Sequence, residues 1–180
     1  EGGYGTTRLA SYYADYLAGA GPMAGGDPLP NAPVEHCEHI AFSLRTGAND
    51  TQFYRNQFTQ KAKEAFDKLE QMHPGKFKHR IEVIPGRGHG IDYSPTTPWL
   101  RQYARTAQPK TVHWEDYPVD NQYRKGFYNL EPLKRPTNQT ERCYYEEEIK
   151  GQTIDLRIRI PKYHTTEATE MWSLPLSFTR

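Results

Sequence analysis

The sequence predicts an α/β protein with parallel strand order in its first part and a β-rich segment after it. Three observations carry that expectation. Short apolar runs closed by Gly and Pro alternate with helical patterns up to about residue 106. Beyond Pro109 the 3.6-residue period gives way to alternation of apolar and polar residues. Hydrophobic residues make up only 36% of the 180, yet thirteen Tyr, seven Phe and three Trp are enough to build a core, which excludes wholesale disorder.

Taken in order, Thr6 to Tyr13 is expected as a short helix with Leu9, Tyr12 and Tyr13 on its buried face. Tyr16 to Pro22 is short and apolar, closed by Gly21-Pro22, and suits a buried parallel strand. Gly25 to Pro33, dense in Gly, Pro, Asp and Asn, is a loop. His39 to Leu44 is a second buried strand, followed by the turn-prone Thr46-Gly47-Ala48-Asn49-Asp50. The clearest helix comes next. Tyr54, Phe58, Ala62, Ala65, Phe66, Leu69 and Met72 recur at spacings of three and four, Asp50 or Thr51 is placed to cap its start, and Pro74-Gly75 stops it. Arg80 to Ile84 is a third strand running into Pro85-Gly86-Arg87-Gly88-His89-Gly90, and Thr97 to Arg105, with Pro98 in its first turn, is a further helix.

After Pro109, Val112–Trp114, Gly126–Leu130, Tyr144–Ile149 and Thr153–Ile160 read as short strands, with Lys150-Gly151-Gln152 turning one into the next as a hairpin. Trp172 to Phe178 reads as one more, confined to an edge by Pro175. The sequence therefore divides into an α/β part, residues 1–110, and a β-rich appendage, residues 111–180. No internal repeat is visible.

Lys and Arg number 23 against 22 Asp and Glu, a net charge of +1. That balance gives no electrostatic case for a nucleic-acid or anionic-membrane partner. No apolar run approaches the roughly eighteen residues of a membrane span. Cys37 and Cys143 are too few for a disulfide scaffold or a structural zinc site. The compartment stays open, the secreted and periplasmic cases included. Glu1 is not a Met, no signal peptide is visible, and the chain opens as if inside an element. It is expected to be a piece of a longer protein.

Three segments fall in a telling order. Glu1-Gly2-Gly3-Tyr4-Gly5 leads into a helix, Asp50 follows a strand, and His89 lies in a Gly-flanked loop after the next strand. A nucleophile elbow has the form G-x-S-x-G, so a Ser before Glu1 would make Glu1 and Gly2 its last two positions. Nucleophile, acid, base is the chain order of the α/β-hydrolases. Together with Arg45-Thr46-Gly47-Ala48-Asn49-Asp50-Thr51 and Pro85-Gly86-Arg87-Gly88-His89-Gly90, the opening resembles the C-terminal half of an α/β-hydrolase, beginning just after the nucleophile. It is most similar to bacterial esterases and prolyl-oligopeptidase-like serine hydrolases. Pro109, Trp114, Phe127-Tyr128-Asn129-Leu130 and Gly151-Gln152-Thr153-Ile154 resemble the β-rich tail that some of these carry.

The resemblance implies a partial α/β-hydrolase sheet and a serine esterase. His89 would take the proton of the Ser hydroxyl, Asp50 would hold the other ring nitrogen, and the backbone N–H of Glu1 would be one oxyanion donor. Tyr4 and Trp99 would line the substrate pocket. The substrate would be a carboxylic ester, of a small molecule or linked to a polysaccharide, and the acyl-transfer route needs no metal or organic cofactor. A peptidase of the same fold would use the same triad. With the nucleophile outside it, this piece alone is expected to be inactive and to need the missing N-terminal half of the domain against its open strand edge.

Plainer readings stand beside these. Asp50 before a helix fits an N-cap, and His89 between glycines fits a turn. His36-Cys37-Glu38-His39 has metal-binding residue types, but adjacent residues rarely converge on one ion. Glu146-Glu147-Glu148 fits a solvated strand edge. Asn49-Asp50-Thr51 and Asn138-Gln139-Thr140 fit the glycosylation pattern, which matters only in a secreted eukaryotic protein. Trp114, Tyr144, Tyr145, Tyr163 and Trp172 suggest a non-catalytic alternative, a carbohydrate-binding protein built on a degenerate hydrolase half.

Overall fold

A computed structural model describes residues 1–135 and 142–160. The strand expected at Trp172–Phe178, the Asn138 glycosylation pattern, and Tyr163 and Trp172 lie outside the described residues. Two units divide the chain, one formed by Glu1–Pro109 and the other starting at Lys110.

In the first unit the strand expected at His39–Leu44 is β2 (Ala41–Gly47), buried at every position except Arg45. It is the middle strand of a parallel sheet, with β1 (Gly19–Ala20) on one side and β3 (His79–Ile84) on the other. Gly47 lies opposite Ile84, so β2 and β3 end level with each other. The strand expected over Tyr16–Pro22 shrinks to Gly19–Ala20, because Ala14–Tyr16 winds into a 3₁₀ turn with Tyr16 exposed.

Helix α2 (Arg55–Met72) packs Phe66 against Phe42 of β2, ring centroids 4.8 Å apart, and buries Thr59 and Ala62 beside it. Burying one such ring is worth about 2–3 kcal/mol. Its buried face is narrower than the spacing predicted, since Tyr54 and Met72 are exposed. The hydroxyls of Thr46 and Thr59, 2.7 Å apart, pin the helix to the end of β2. The helix stops where expected: Gly75 takes φ +84°, and the Glu70 carboxylate accepts the N–H groups of Gly75 and Phe77.

Helix α1 (Gly2–Tyr12) starts earlier than expected and buries a different face. Thr7, Ala10 and Ser11 are inside, while Leu9 and Tyr13 are exposed. Close approach explains the inversion. A Cβ on Gly3 would come within 3.0 Å of the Met23 and Gly25 carbonyl oxygens, and Ser11 donates to Pro33 O at 2.8 Å. A helix seated that tightly admits small side chains, not aromatic ones. Helix α3 (Thr96–Leu100) is one turn, shorter than the expected Thr97–Arg105.

The second unit is an antiparallel sheet of β4 (Thr111–Asp116), β5 (Cys143–Lys150) and β6 (Thr153–Arg159), with β5 central and Gly151 turning β5 into β6 at φ +59°. Val112 and Trp114 of β4 and Cys143 and Tyr145 of β5 are buried. Trp114 stacks between Tyr145 (5.1 Å) and Phe127 (5.7 Å). Two expectations are corrected here. Gly126–Leu130 is no strand: Phe127 and Leu130 close a tight turn by exchanging backbone hydrogen bonds. The acidic run lies on the central strand, not an edge, and Glu147 is buried, its carboxylate accepting both Asn129 bonds at 2.8 and 2.9 Å. Glu146 and Glu148 pair with Arg159 and Lys150. Trp114 and Tyr145 are core, and Tyr144 donates to Glu115 with Arg159 over its ring, so these three are engaged within the unit.

Candidate active site

Because β2 and β3 end level, the loops leaving them start side by side. In open α/β sheets, ligands bind beyond the carboxyl ends of the strands. Asp50 comes three residues after β2 ends and His89 five after β3 ends. The two loops are joined through their backbones: Ala48 N–H donates to Ile84 O at 2.9 Å and Asn49 N–H to Arg87 O at 2.8 Å. Gly47 permits this, since a Cβ there would fall within 3.0 Å of the carbonyl oxygens of Arg87 and Gly88.

On that frame His89 Nδ1 lies 2.7 Å from Asp50 Oδ2. A carboxylate can only accept, so Nδ1 carries the proton and a neutral ring holds its lone pair on Nε2. The two partners are unequally exposed: the Asp50 side chain is 3% accessible and that of His89 65%. Among the described residues no side chain bonds to Nε2. The Tyr93 hydroxyl donates to His89 O at 3.1 Å.

The second oxygen of Asp50 accepts from Arg55 Nη1 at 2.8 Å. Burial pushes the Asp50 carboxyl up, but the hydrogen bonds of His89 and Arg55 and their charges outweigh it and hold the group below its usual value. Asp50 is thus ionised and held on both oxygens. It is not the N-cap of α2. That position is Tyr54, and no side chain caps it.

Arg55 is reached through a strained turn. Phe53 and Tyr54 both take left-handed backbone conformations, φ +53° and +59°, at a cost on the order of 1–2 kcal/mol each for non-glycine residues. The Phe53 ring lies over the Arg55 guanidinium, 5.1 Å to the centroid, and its carbonyl accepts the Tyr4 hydroxyl at 2.8 Å. Tyr4, on the first turn of α1, is thereby brought to the Asp50 loop. Burial raises its hydroxyl's pKa, opposed by Arg55 and aided by Asp50 and Asp27.

Glu1 occupies the N-cap of α1, so its backbone nitrogen is at the positive end of an eleven-residue helix. Trp99 is placed by packing: it sits on α3 with its ring 4.9 Å from that of Tyr103. Beside the His89 loop a cleft of about 500 Å³ is lined by Arg45, Ile84, Arg87, Gly90, Ile91 and Asp92. Arg45 there donates to Asp92 O at 2.7 Å and stands 2.7 Å from Glu82 in an ion pair lacking hydrogen-bond alignment.

Sequence reasoning missed Arg55, Phe53, Tyr93 and the need for glycine at Gly47. A five-residue gap from Asp50 to Arg55 carries no signature, because the contact depends on the left-handed turn between them. In the His36-Cys37-Glu38-His39 segment His36 is buried and donates to Ser11 O at 3.1 Å, and no cluster of three or more His, Cys, Asp or Glu side chains placed to hold a metal occurs among the described residues. No helix among these residues is long and apolar enough to cross a membrane. Comparison of the chain with family models, curated proteins and solved structures gave no match.

Proposed function

We propose that this chain supplies the acid and base of a serine hydrolase acting on carboxylic esters, and that its parallel strands are part of an α/β-hydrolase sheet. The observation that carries the reading is the Asp50–His89 bond of 2.7 Å beyond the ends of neighbouring parallel strands. The nucleophile is a Ser upstream of Glu1. His89 Nε2 takes its proton as the hydroxyl attacks the ester carbonyl, and Asp50 stabilises the imidazolium that forms. The tetrahedral oxyanion is held by backbone donors, Glu1 N–H at the start of α1 among them. His89 then returns the proton to the departing alcohol, and water clears the acyl-enzyme by the same steps.

On this reading the edge at β1 is where strands from the upstream half would pair. The cleft beside the His89 loop offers room for one side of the ester, and Tyr4 is bonded to Phe53 O in the turn between Asp50 and Arg55.

The test is nitrophenyl-ester turnover by the protein with its upstream sequence, beside His89→Ala and Asp50→Asn. The 180 residues alone should give no turnover above their own His89→Ala control. The longer protein should, and should lose it in both variants. Equal turnover by wild type and His89→Ala would remove the reading.

A further inference from the structure

We infer that Phe53 is a specificity-determining residue of this site, and that its free ring face stacks an aromatic ring carried by the substrate ester. The inference rests on the hydrolase reading above and goes beyond it by naming the class of acyl group or alcohol.

An aromatic side chain 71% exposed in a backbone conformation that disfavours it needs a reason. Packing does not supply one, since Phe53 buries little of its ring. A turn free of function would place Gly or Asn at such a φ. Phe53 is instead held at two points, its carbonyl and one ring face, with a second left-handed residue behind it. Tyr4 bonds its carbonyl, Arg55 covers one face of its ring, and Tyr54, itself 61% exposed, comes next in the same left-handed conformation. The same Arg55 grips Asp50, which grips His89. Ring orientation is thereby tied to the catalytic pair through one guanidinium.

The group on the covered face sets the ligand class. An aromatic ring carries negative charge on its faces. Carbohydrate rings use that charge through their C–H bonds, whereas Arg55 beneath Phe53 already draws on it. The opposite face is left less negative and better suited to an electron-rich aromatic ring in offset stacking. A hydroxylated aryl ester fits this description and a plain sugar ring does not.

The test is binding by the protein with its upstream sequence, measured by saturation-transfer NMR with methyl 4-hydroxybenzoate, methyl cyclohexanecarboxylate and methyl glucoside as probes. Phe53→Asn removes the ring while suiting the left-handed backbone, so the fold is kept, and Phe53→Trp restores a ring face. Wild type should bind the aromatic ester more tightly than the other two. Phe53→Asn should weaken that binding roughly three- to tenfold, and Phe53→Trp should recover it. Equal affinity of wild type and Phe53→Asn overturns the inference, as does preference for the glucoside or absence of binding by wild type. A Phe53→Asn variant altered in its thermal melt alone marks Phe53 as a cover for Arg55 and also overturns it. None of these readouts needs the serine, so failure of the hydrolase reading is seen separately, in ester turnover.

Discussion

His89 Nδ1 and Asp50 Oδ2 stand 2.7 Å apart, an exposed ring fixed by a carboxylate that is itself sunk in the protein. In the proposed hydrolase the contrast matters, because a general base must be reachable while its orienting partner must stay dry. Replacing Asp50 by Asn keeps the shape but presents a donor to one side of His89 and nothing to hold its charge. In the protein with its upstream sequence, ester turnover should fall by a factor on the order of 10³–10⁴ in kcat. KM should change far less, and steady-state kinetics with a nitrophenyl ester separates the two.

Asp50 also gives a pH signature. Its folded carboxyl is held below the ordinary range, so its charge stabilises the fold at neutral pH. The contribution is complete above the unfolded carboxylate value and is lost as pH falls through the lower folded one. Thermal melts of wild type and Asp50→Asn should therefore differ most near neutrality and converge below about pH 4. A constant gap down to the acid limit would show that the carboxylate's charge is not what the loop depends on.

Gly47 is where the two site loops meet. A methyl group there collides with backbone carbonyls of Arg87 and Gly88, which have no rotamer to yield. Gly47→Ala should cost about 1–3 kcal/mol and spread the loops, taking the Asp50–His89 bond with it. Denaturant melts read the first effect, and ester turnover reads the second.

In the second unit, Glu147 is buried with both oxygens served by Asn129. Asn129→Ala strands that carboxylate and should destabilise the unit by about 1–3 kcal/mol. Glu146→Ala, on the other face of the same strand, should stay within about 0.5 kcal/mol. Denaturant titrations of the two variants followed by Trp114 fluorescence would compare them.

Much of the first unit was legible because its signals are local. The largely apolar segment Ile40 to Leu44 marked β2, a 3.6-residue stripe made α2, and Pro74-Gly75 ended it. The meeting of Asp50 and His89 was legible too, since both come after neighbouring strands. The face of α1 was not, because its seat is set by the backbone of residues 23–25 crossing Gly3, a contact without periodicity. Glu147 misled for a related reason. A run of three acids reads as solvated until a distant side chain, Asn129, is folded onto the middle one. The Gly126–Leu130 segment has strand composition, but Tyr128 takes φ +52° and the chain reverses there.

The most direct test of the central claim is fluorophosphonate labelling of the protein with its upstream sequence, the adduct located by mass spectrometry. This reagent needs a serine activated by a correctly held imidazole. The expected result is one adduct on the residue immediately before Glu1, formed by wild type and lost in His89→Ala. An adduct elsewhere, or one formed equally fast without His89, would contradict the assignment of Asp50 and His89 as the acid and base of a serine hydrolase.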